Sequence, residues 1–521
     1  MVDPLDSVSE SSITSASSNT AAIDARMLTR FAGGLFWGQL LRLVEVGTSL
    51  IFLVIVVRKL GPAQYGVFGL LINICALGTL VSGQGFGDML SKYLPQIQAR
   101  SGAQASARLA KQVIVWSILL TAAIAIALWL LRYELALWFH NNQILTYAYA
   151  LLLLFAGQSI SNAFSASNVA LLKINGVCIV VGMINVLALA GAIVGISIYR
   201  PSAGIMIGAS AIAYTAGIIG YLIVSRQWLF IPTADHGISM REIWRFSSRA
   251  WLVKLATFAV SGEIIVLLMG WWVGQPRDIG YFNAAYVPLA RLQILLLGWT
   301  LPVLPSLSEL HATRGVNSLS GAYRLYIKLL VAIIVPIFAF VALHARTIVS
   351  SLFTDSFLPA ASLLRIYASL WIVAILFGSG LTTSLLYSLN KPTTVVKIRI
   401  LVAAACLPMA YLLIPRFGSL GAVLSVGLSA MAMAICEMLV VRRTIAINYP
   451  FGFVVKVLAA SAISLAITYL LRPATLISLV LCGILLLVVY ILSMSRLKVL
   501  DAAEKDTLNK HPVLARVLAY F

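Results

Sequence analysis

The sequence is poor in charge. Only 10% of its 521 residues are Asp, Glu, Lys or Arg, less than half the ~25% usual in a soluble globular chain. Acids are scarcer still, 17 against 37 Lys and Arg, leaving a formal net charge of +20. The five cysteines (Cys75, Cys178, Cys406, Cys436 and Cys482) all fall inside apolar stretches and form no short motif. They read as buried thiols, which excludes a disulfide scaffold and a cysteine metal site. No G-x-x-x-x-G-K-[ST] occurs, so the chain is not itself an ATP-driven pump. Neither H-E-x-x-H nor T-V-G-Y-G is found, and the five histidines show no ligand spacing. What remains is hydrophobic residue, 61% of the chain. A soluble enzyme, a disordered chain and a nucleic-acid binder with clustered cations are thereby excluded.

A transmembrane helix needs ~20 mostly apolar residues. Apolar runs of that length lie at about 32–57, 66–90, 112–131, 145–171, 177–198, 203–225, 247–273, 280–306, 325–344, 361–389, 395–414, 419–441, 452–471 and 474–495. Ahead of them, residues 1–28 are Ser-rich and without periodicity, and predict a disordered tail. No basic segment with a small-residue cleavage site precedes the first run, so it is expected to stay as a helix. Cytoplasmic loops carry an excess of Lys and Arg. With the N-terminus placed inside, the inner segments hold 24 of the 37 cations and the outer segments 9. The remaining four lie within or at the edge of the helices. A miscounted helix would scramble that alternation. The expectation is an all-α polytopic membrane protein of about 14 helices with both termini cytoplasmic.

The chain also repeats itself. Pro62-x-x-x-Gly66-x-Phe68 recurs as Pro276-x-x-x-Gly280-x-Phe282, an offset of 214, and Arg30-Phe31 recurs as Arg245-Phe246 at 215. Leu171-x-x-x-Asn175 matches Leu386-x-x-x-Asn390 at 215, and Arg200 matches Arg416 at 216. Four matches in order at nearly one offset define two pseudo-symmetric six-helix bundles, 29–231 and 232–445. Two C-terminal helices follow at 446–497, then a tail at 498–521. An even helix number places both units the same way across the membrane, with a site between them suited to alternating access.

Charges inside such helices are costly, on the order of 2.5–3.5 kcal/mol each at the bilayer centre, so each is a candidate site residue. Arg42 lies mid-way along the first span with Glu45 on its face. The pair reads either as a cavity cation with charge balance or as a local ion pair that lets the helix insert. Arg249 and Lys254 lie on the seventh span. Arg249 reads as a snorkelling side chain or a cavity residue; Lys254 is deeper and roughly matches Arg42 in the repeat. Arg291, mid-way along the eighth span, has no acid within four positions and is expected to face water or a ligand. Glu263 is a candidate for proton exchange by desolvation or a partner of Arg291. Asp88 and Glu437 sit near predicted helix ends, where capping or interface contacts are expected. The polar stripes Gln158, Ser161, Asn162, Ser165, Asn168 and Ser379, Thr382, Thr383, Tyr387, Asn390 read as passage walls for a hydroxyl-rich cargo or as glue between helices. The substrate-binding set is therefore Arg42, Lys254, Arg291 and Arg249; Glu45 and Glu263 serve coupling or charge balance; Gln158, Asn162, Asn168, Thr383 and Tyr387 line the cavity. No metal, cofactor or catalytic residue is expected.

Arg58-Lys-Leu-Gly-Pro62-x-x-x-Gly66, followed by Gly83-Gln-Gly-Phe-Gly87, resembles the polysaccharide transporter family, the O-antigen-type flippases of the multidrug/oligosaccharidyl-lipid/polysaccharide exporter superfamily. The resemblance spans nearly the whole chain. It implies a V-shaped, MATE-like pair of bundles in the bacterial cytoplasmic (inner) membrane. It further implies flipping of an undecaprenyl-diphosphate-linked oligosaccharide from the inner to the outer leaflet for exopolysaccharide or O-antigen synthesis. The coupling ion would be H+ or Na+, and a polysaccharide polymerase a partner. The S-R-x-x-G-x-x-R-D motif of the related lipid II flippases is missing, so Arg42, Lys254 and Arg291 are not carried over from that branch. Two other functions stand as alternatives: a multidrug/cation antiporter of the same superfamily, and a membrane-embedded polymerase or ligase. The second of these would need a large external loop, and the longest expected here, about 345–360, is short.

Overall fold

A computed structural model describes residues 7–83, 85–235, 237–297, 303–389, 391–445 and 449–497, with side chains from Leu43 onward except at 295, 297, 305, 306, 309, 312–314 and 317. Every regular element among the described residues is a helix. The N-terminal half comprises α1 (Ser7–Gly83), α2 (Phe86–Leu130), the short α3 (Arg132–Trp138) and α4 (Gln143–Thr146), α5 (Ala148–Ala170), α6 (Ile174–Ile198) and α7 (Ala203–Leu229). The C-terminal half begins with α8 (Met240–Phe258), α9 (Gly262–Trp272), α10 (Pro276–Leu297), α11 (Val303–Arg314) and α12 (Val316–Leu343). It continues through α13 (Ala345–Leu352), α14 (Pro359–Leu376), α15 (Leu381–Ser388), α16 (Pro392–Phe417) and α17 (Ser419–Thr444). The terminal pair is α18 (Phe451–Leu470) and α19 (Leu476–Arg496). The helical course begins at Ser7, within the segment whose composition reads as a tail.

In hydrocarbon every backbone polar group must be satisfied within the chain, so apolar runs of this length can only be helices. Among the described residues, ten helices are long and apolar enough to cross a membrane, or eleven when the bent pair α8–α9 is one span. One of the ten is the run Leu43–Leu130 of 88 residues. At ~1.5 Å per residue it would be about 130 Å long against a hydrocarbon core of ~30 Å. Its backbone leaves helical geometry at Gly61 (φ 69) and Gly102 (φ 82), which divides it into three passes. α10 is of spanning length but is not among the helices that meet this measure, and counting it brings the total roughly to the expected fourteen.

Three spans are broken where the sequence reads as continuous. The second pass is interrupted between Gly83 and Phe86, the seventh bends by 60° between α8 and α9, and the tenth between α14 and α15. The apolar run alone does not show such a break, because hydrophobicity is the same on both sides of it. The segment 345–360, expected to be external, includes α13 and a 3-10 turn at Asp355–Phe357.

α5, α6 and α7 pack on one another and on α1 and α2, while α12, α14, α16 and α17 pack together in the other half. α18 lies against α12 and α19. α19 buries Leu479, Cys482, Leu486, Tyr490 and Met494, and exposes Ile477, Val480, Leu481, Ile484 and Leu492. A helix that is apolar all round yet buried on one face is facing lipid with the other.

The two halves meet chiefly through α1 and α10. A Cβ on Gly66 would stand 1.6 Å from the carbonyl oxygen of Pro276, and one on Gly280 would stand 2.0 Å from that of Pro62. The two copies of the repeated motif therefore lie on each other, each glycine admitting the other copy's backbone. Sequence repetition has become a pseudo-two-fold contact. Arg58 reinforces this end by donating to the carbonyls of Ser351 and Leu352, in the latter case from Nε at 2.8 Å.

Candidate functional site

Below that contact the halves part and enclose two cavities. The upper one, about 640 Å³, is walled by α1, α5, α6 and α7 on one side and by α9 and α10 on the other. The lower one, about 550 Å³, includes Leu80, Asp88, Lys254, Glu263, Tyr387 and Arg399. Tyr65 lines the upper cavity and Leu80 the lower, fifteen residues apart on the second pass. At ~1.5 Å per residue that is about 22 Å, most of the membrane's thickness. Glu263, in the first turn of α9 just past the 60° bend, belongs to both walls.

The upper cavity holds one cation, Arg291, and one anion, Glu263. The two share the wall but form no salt bridge among the described residues. Around them stand five amides: Asn73 on α1, Gln158 on α5, Asn185 on α6, and Asn283 and Gln293 on α10. Asn73 donates to the Gly69 carbonyl at 2.7 Å. Asn283 Nδ2 is buried against Gly69 of α1 without a hydrogen-bond partner among the described residues, and Gln293 lies beside the Tyr367 hydroxyl. A buried donor without a partner costs about 1–3 kcal/mol. Tyr65, Phe68, Tyr214 and Tyr286 complete the wall with ring faces.

Two contacts between the halves border the lower cavity. Lys254 Nζ pairs with Asp88 Oδ2 at 2.9 Å, both groups about half exposed. Trp251 Nε1 donates to the Leu80 carbonyl at 3.0 Å. Within the C-terminal half, Arg399 Nη1 donates to Thr257 Oγ1 at 2.6 Å, while its Nε is buried without a partner.

The sequence-derived candidates divide accordingly. Arg291, Glu263 and Gln158 line the upper cavity; Lys254, Glu263 and Tyr387 line the lower. The side chain of Arg42 lies outside the described residues, as does Asn390. Glu45, Asn162 and Arg249 are exposed and line neither cavity. Asn168 is fully buried between α5 and α7, donating to Ser225 Oγ at 2.8 Å and to the Phe164 carbonyl, and accepting from Trp228 Nε1 at 3.2 Å. Thr383 and Thr382 point into the C-terminal half, toward Glu437. Asn73, Asn185, Asn283 and Gln293 were not singled out from the sequence. For Asn283 and Gln293 the available signal was their closeness to Arg291 along α10, which a scan for charge passes over.

The described residues form an all-helical membrane architecture of two repeated bundles facing a central chamber. A family profile described as "Polysaccharide biosynthesis protein" matches residues 55–362, more than half of the chain, and the chain belongs to that family. No curated protein matches it. Among solved structures it is similar to "Lipid II flippase MurJ, inward closed conformation", with TM-score 0.70, 14% identity, and coverage of 88% of this chain and 97% of that one. A multidrug resistance MATE family transporter of the MOP superfamily, inward-facing, gives TM-score 0.60 at 17% identity, with coverage of 78% and 94%. A MOP superfamily transporter from Pyrococcus furiosus gives 0.54 at 16%, with coverage of 79% and 95%. At these identities the likeness is one of fold.

Proposed function

We propose that the protein is a flippase for an undecaprenyl-diphosphate-linked oligosaccharide, carrying it from the inner to the outer leaflet of the bacterial cytoplasmic membrane by ion-coupled alternating access. The observation that carries this reading is the upper cavity, with Arg291 and five amide side chains among its lining residues. Sugar hydroxyls and phosphate oxygens accept hydrogen bonds at every face, and tyrosine rings stack on sugar faces. An apolar drug would offer nothing to Arg291 and the amides of the wall. The cations along the path lie at two depths: Arg291 above, Lys254 and Arg399 below. A diphosphate entering from below would meet Lys254 first and displace Asp88 from it, then pass Glu263 to reach Arg291.

The test is leaflet translocation of a fluorescent diphosphate-linked oligosaccharide in proteoliposomes, read by dithionite quenching. Wild-type protein is expected to move it and Arg291→Ala to slow it at least tenfold. Failure of wild-type protein to move any diphosphate-linked sugar, together with export of a cationic dye, would replace this reading with the antiporter.

A further inference from the structure

Glu437 is buried inside the C-terminal half, 2% exposed, on α17 seven residues before its end. It lines neither cavity. Two hydroxyls from α15 surround its carboxyl. Thr382 Oγ1 is 2.8 Å from Oε2, and Thr383 Oγ1 is 2.9 Å from Oε1 and 2.8 Å from Oε2. Thr382 Oγ1 is also 3.0 Å from the carbonyl oxygen of Gly378. No cation forms a salt bridge with Glu437 among the described residues. The groups set around it are Tyr323 of α12, whose hydroxyl donates to Met438 Sδ at 3.8 Å, Arg399 of α16, and Tyr449 ahead of α18. Tyr449 gives its hydroxyl hydrogen to the Leu376 carbonyl, and Arg399 Nη1 is committed to Thr257.

A threonine hydroxyl has one hydrogen. If Glu437 is ionised, the hydrogen of Thr382 goes either to the carboxylate or to the Gly378 carbonyl, and one of these contacts becomes a meeting of two oxygens without a hydrogen. A buried anion would then rest on two hydroxyls with no salt bridge, its neighbouring cation Arg399 being hydrogen-bonded to Thr257, an expensive arrangement. A proton on Oε2 removes the buried charge. It donates to Thr382 Oγ1, Thr382 passes its own hydrogen to Gly378 O, and Thr383 donates to Oε1, leaving its contact with Oε2 as the one without a hydrogen.

We propose that Glu437 is a proton-binding site, loaded through Thr382 and read out at the break between α14 and α15. That break spans Phe377–Gly380, with Gly378 at φ 75 and Gly380 at φ 84. Gly378 is thus both the hinge of the tenth span and the end of the proton's hydrogen-bond chain. Loss of the proton turns the Thr382 hydrogen from the hinge carbonyl to the carboxylate. Thr383 lies one turn before Tyr387 on the same face of α15, and Tyr387 lines the lower cavity. The site is therefore one helical turn from water that enters with the cargo. As the coupling site it rests on the ion-coupled reading above; as a proton site it does not.

The experiment is pH-difference infrared spectroscopy of the purified full-length protein in lipid, without substrate. A protonated carboxyl gives a C=O stretch well apart from amide and carboxylate bands. Wild-type protein is expected to show such a band, Glu437→Gln to lose it, and Glu263→Gln to keep it. Thr382→Val, which removes the acceptor of the acid proton, is expected to keep the band and shift its frequency. Each variant is checked for a wild-type melting temperature and elution volume, and Thr382→Val carries the test if Glu437→Gln does not fold. A wild-type spectrum without the band, a Glu437→Gln spectrum that retains it, or a Thr382→Val band unmoved in frequency overturns the proposal. So does a carboxylate band of Glu437 that responds to sodium and not to pH. None of these outcomes bears on whether the protein moves a lipid-linked sugar, so this idea and the flippase reading fail separately.

Discussion

Adding one methyl group at Gly66 tests whether the repeated motif closes one end of the molecule. The Cβ of Gly66→Ala would lie 1.6 Å from the Pro276 carbonyl oxygen, and contacts under 3.0 Å essentially never occur. Bringing 1.6 Å out to 3.0 Å requires about 1.4 Å of separation between α1 and α10. For Gly280→Ala the distance to the Pro62 carbonyl is 2.0 Å, so about 1.0 Å suffices. Overpacking of this kind costs about 1–3 kcal/mol. If that strain exists only while the halves touch, it lowers the ratio of closed to open molecules by about 5- to 150-fold. The assay is double electron–electron resonance between spin labels at Lys59→Cys and Gln275→Cys, both exposed positions beside the contact, in a background whose native cysteines are replaced. A longer-distance population is expected in Gly66→Ala and a smaller one in Gly280→Ala. Unchanged distributions in both, with unchanged melting temperatures, would refute the reasoning, because that contact would then not set the closure.

Other outcomes follow from the same geometry. Arg291→Ala is expected to lower leaflet translocation at least tenfold while Arg249→Ala, exposed and outside both cavities, stays within twofold of wild type in the same assay. The Lys254–Asp88 pair is about half exposed, so Lys254→Ala should cost under about 1 kcal/mol of stability and leave the melting temperature nearly unchanged. The double swap Asp88→Lys with Lys254→Asp should recover any transport lost in either single variant. Asn168→Ala removes the partner of Trp228 Nε1 and of Ser225, at about 1–3 kcal/mol; thermal denaturation should show a lower midpoint, with transport per folded molecule preserved.

The spans and the repeat were legible because both are carried by composition and by fixed spacing along one strand of sequence. Pro62, Gly66, Pro276 and Gly280 announced a symmetry, and the structure shows its physical content, two backbones in contact. The site was legible only where a charge stood in an apolar run, as at Arg291, Lys254 and Glu263. Amides such as Asn283 and Gln293 look alike in sequence whether they only join helices, as Asn168 does, or also line a cavity. Asp88 and Lys254 are 166 positions apart, and no local pattern pairs them. The breaks beside Glu263 and at Gly378 were hidden because apolar residues continue through them. Glu437 read as a helix-end residue because counting from the end of a run says nothing of what leans against it.

The two mouths of the molecule are held by forces of different kinds. One is held by steric fit of glycine and proline backbone, the other is bridged by a partly hydrated pair of opposite charges. Dissolved salt weakens the second and does not touch the first. Ionic strength is thus a lever that loosens one door of the passage while its counterpart stays latched.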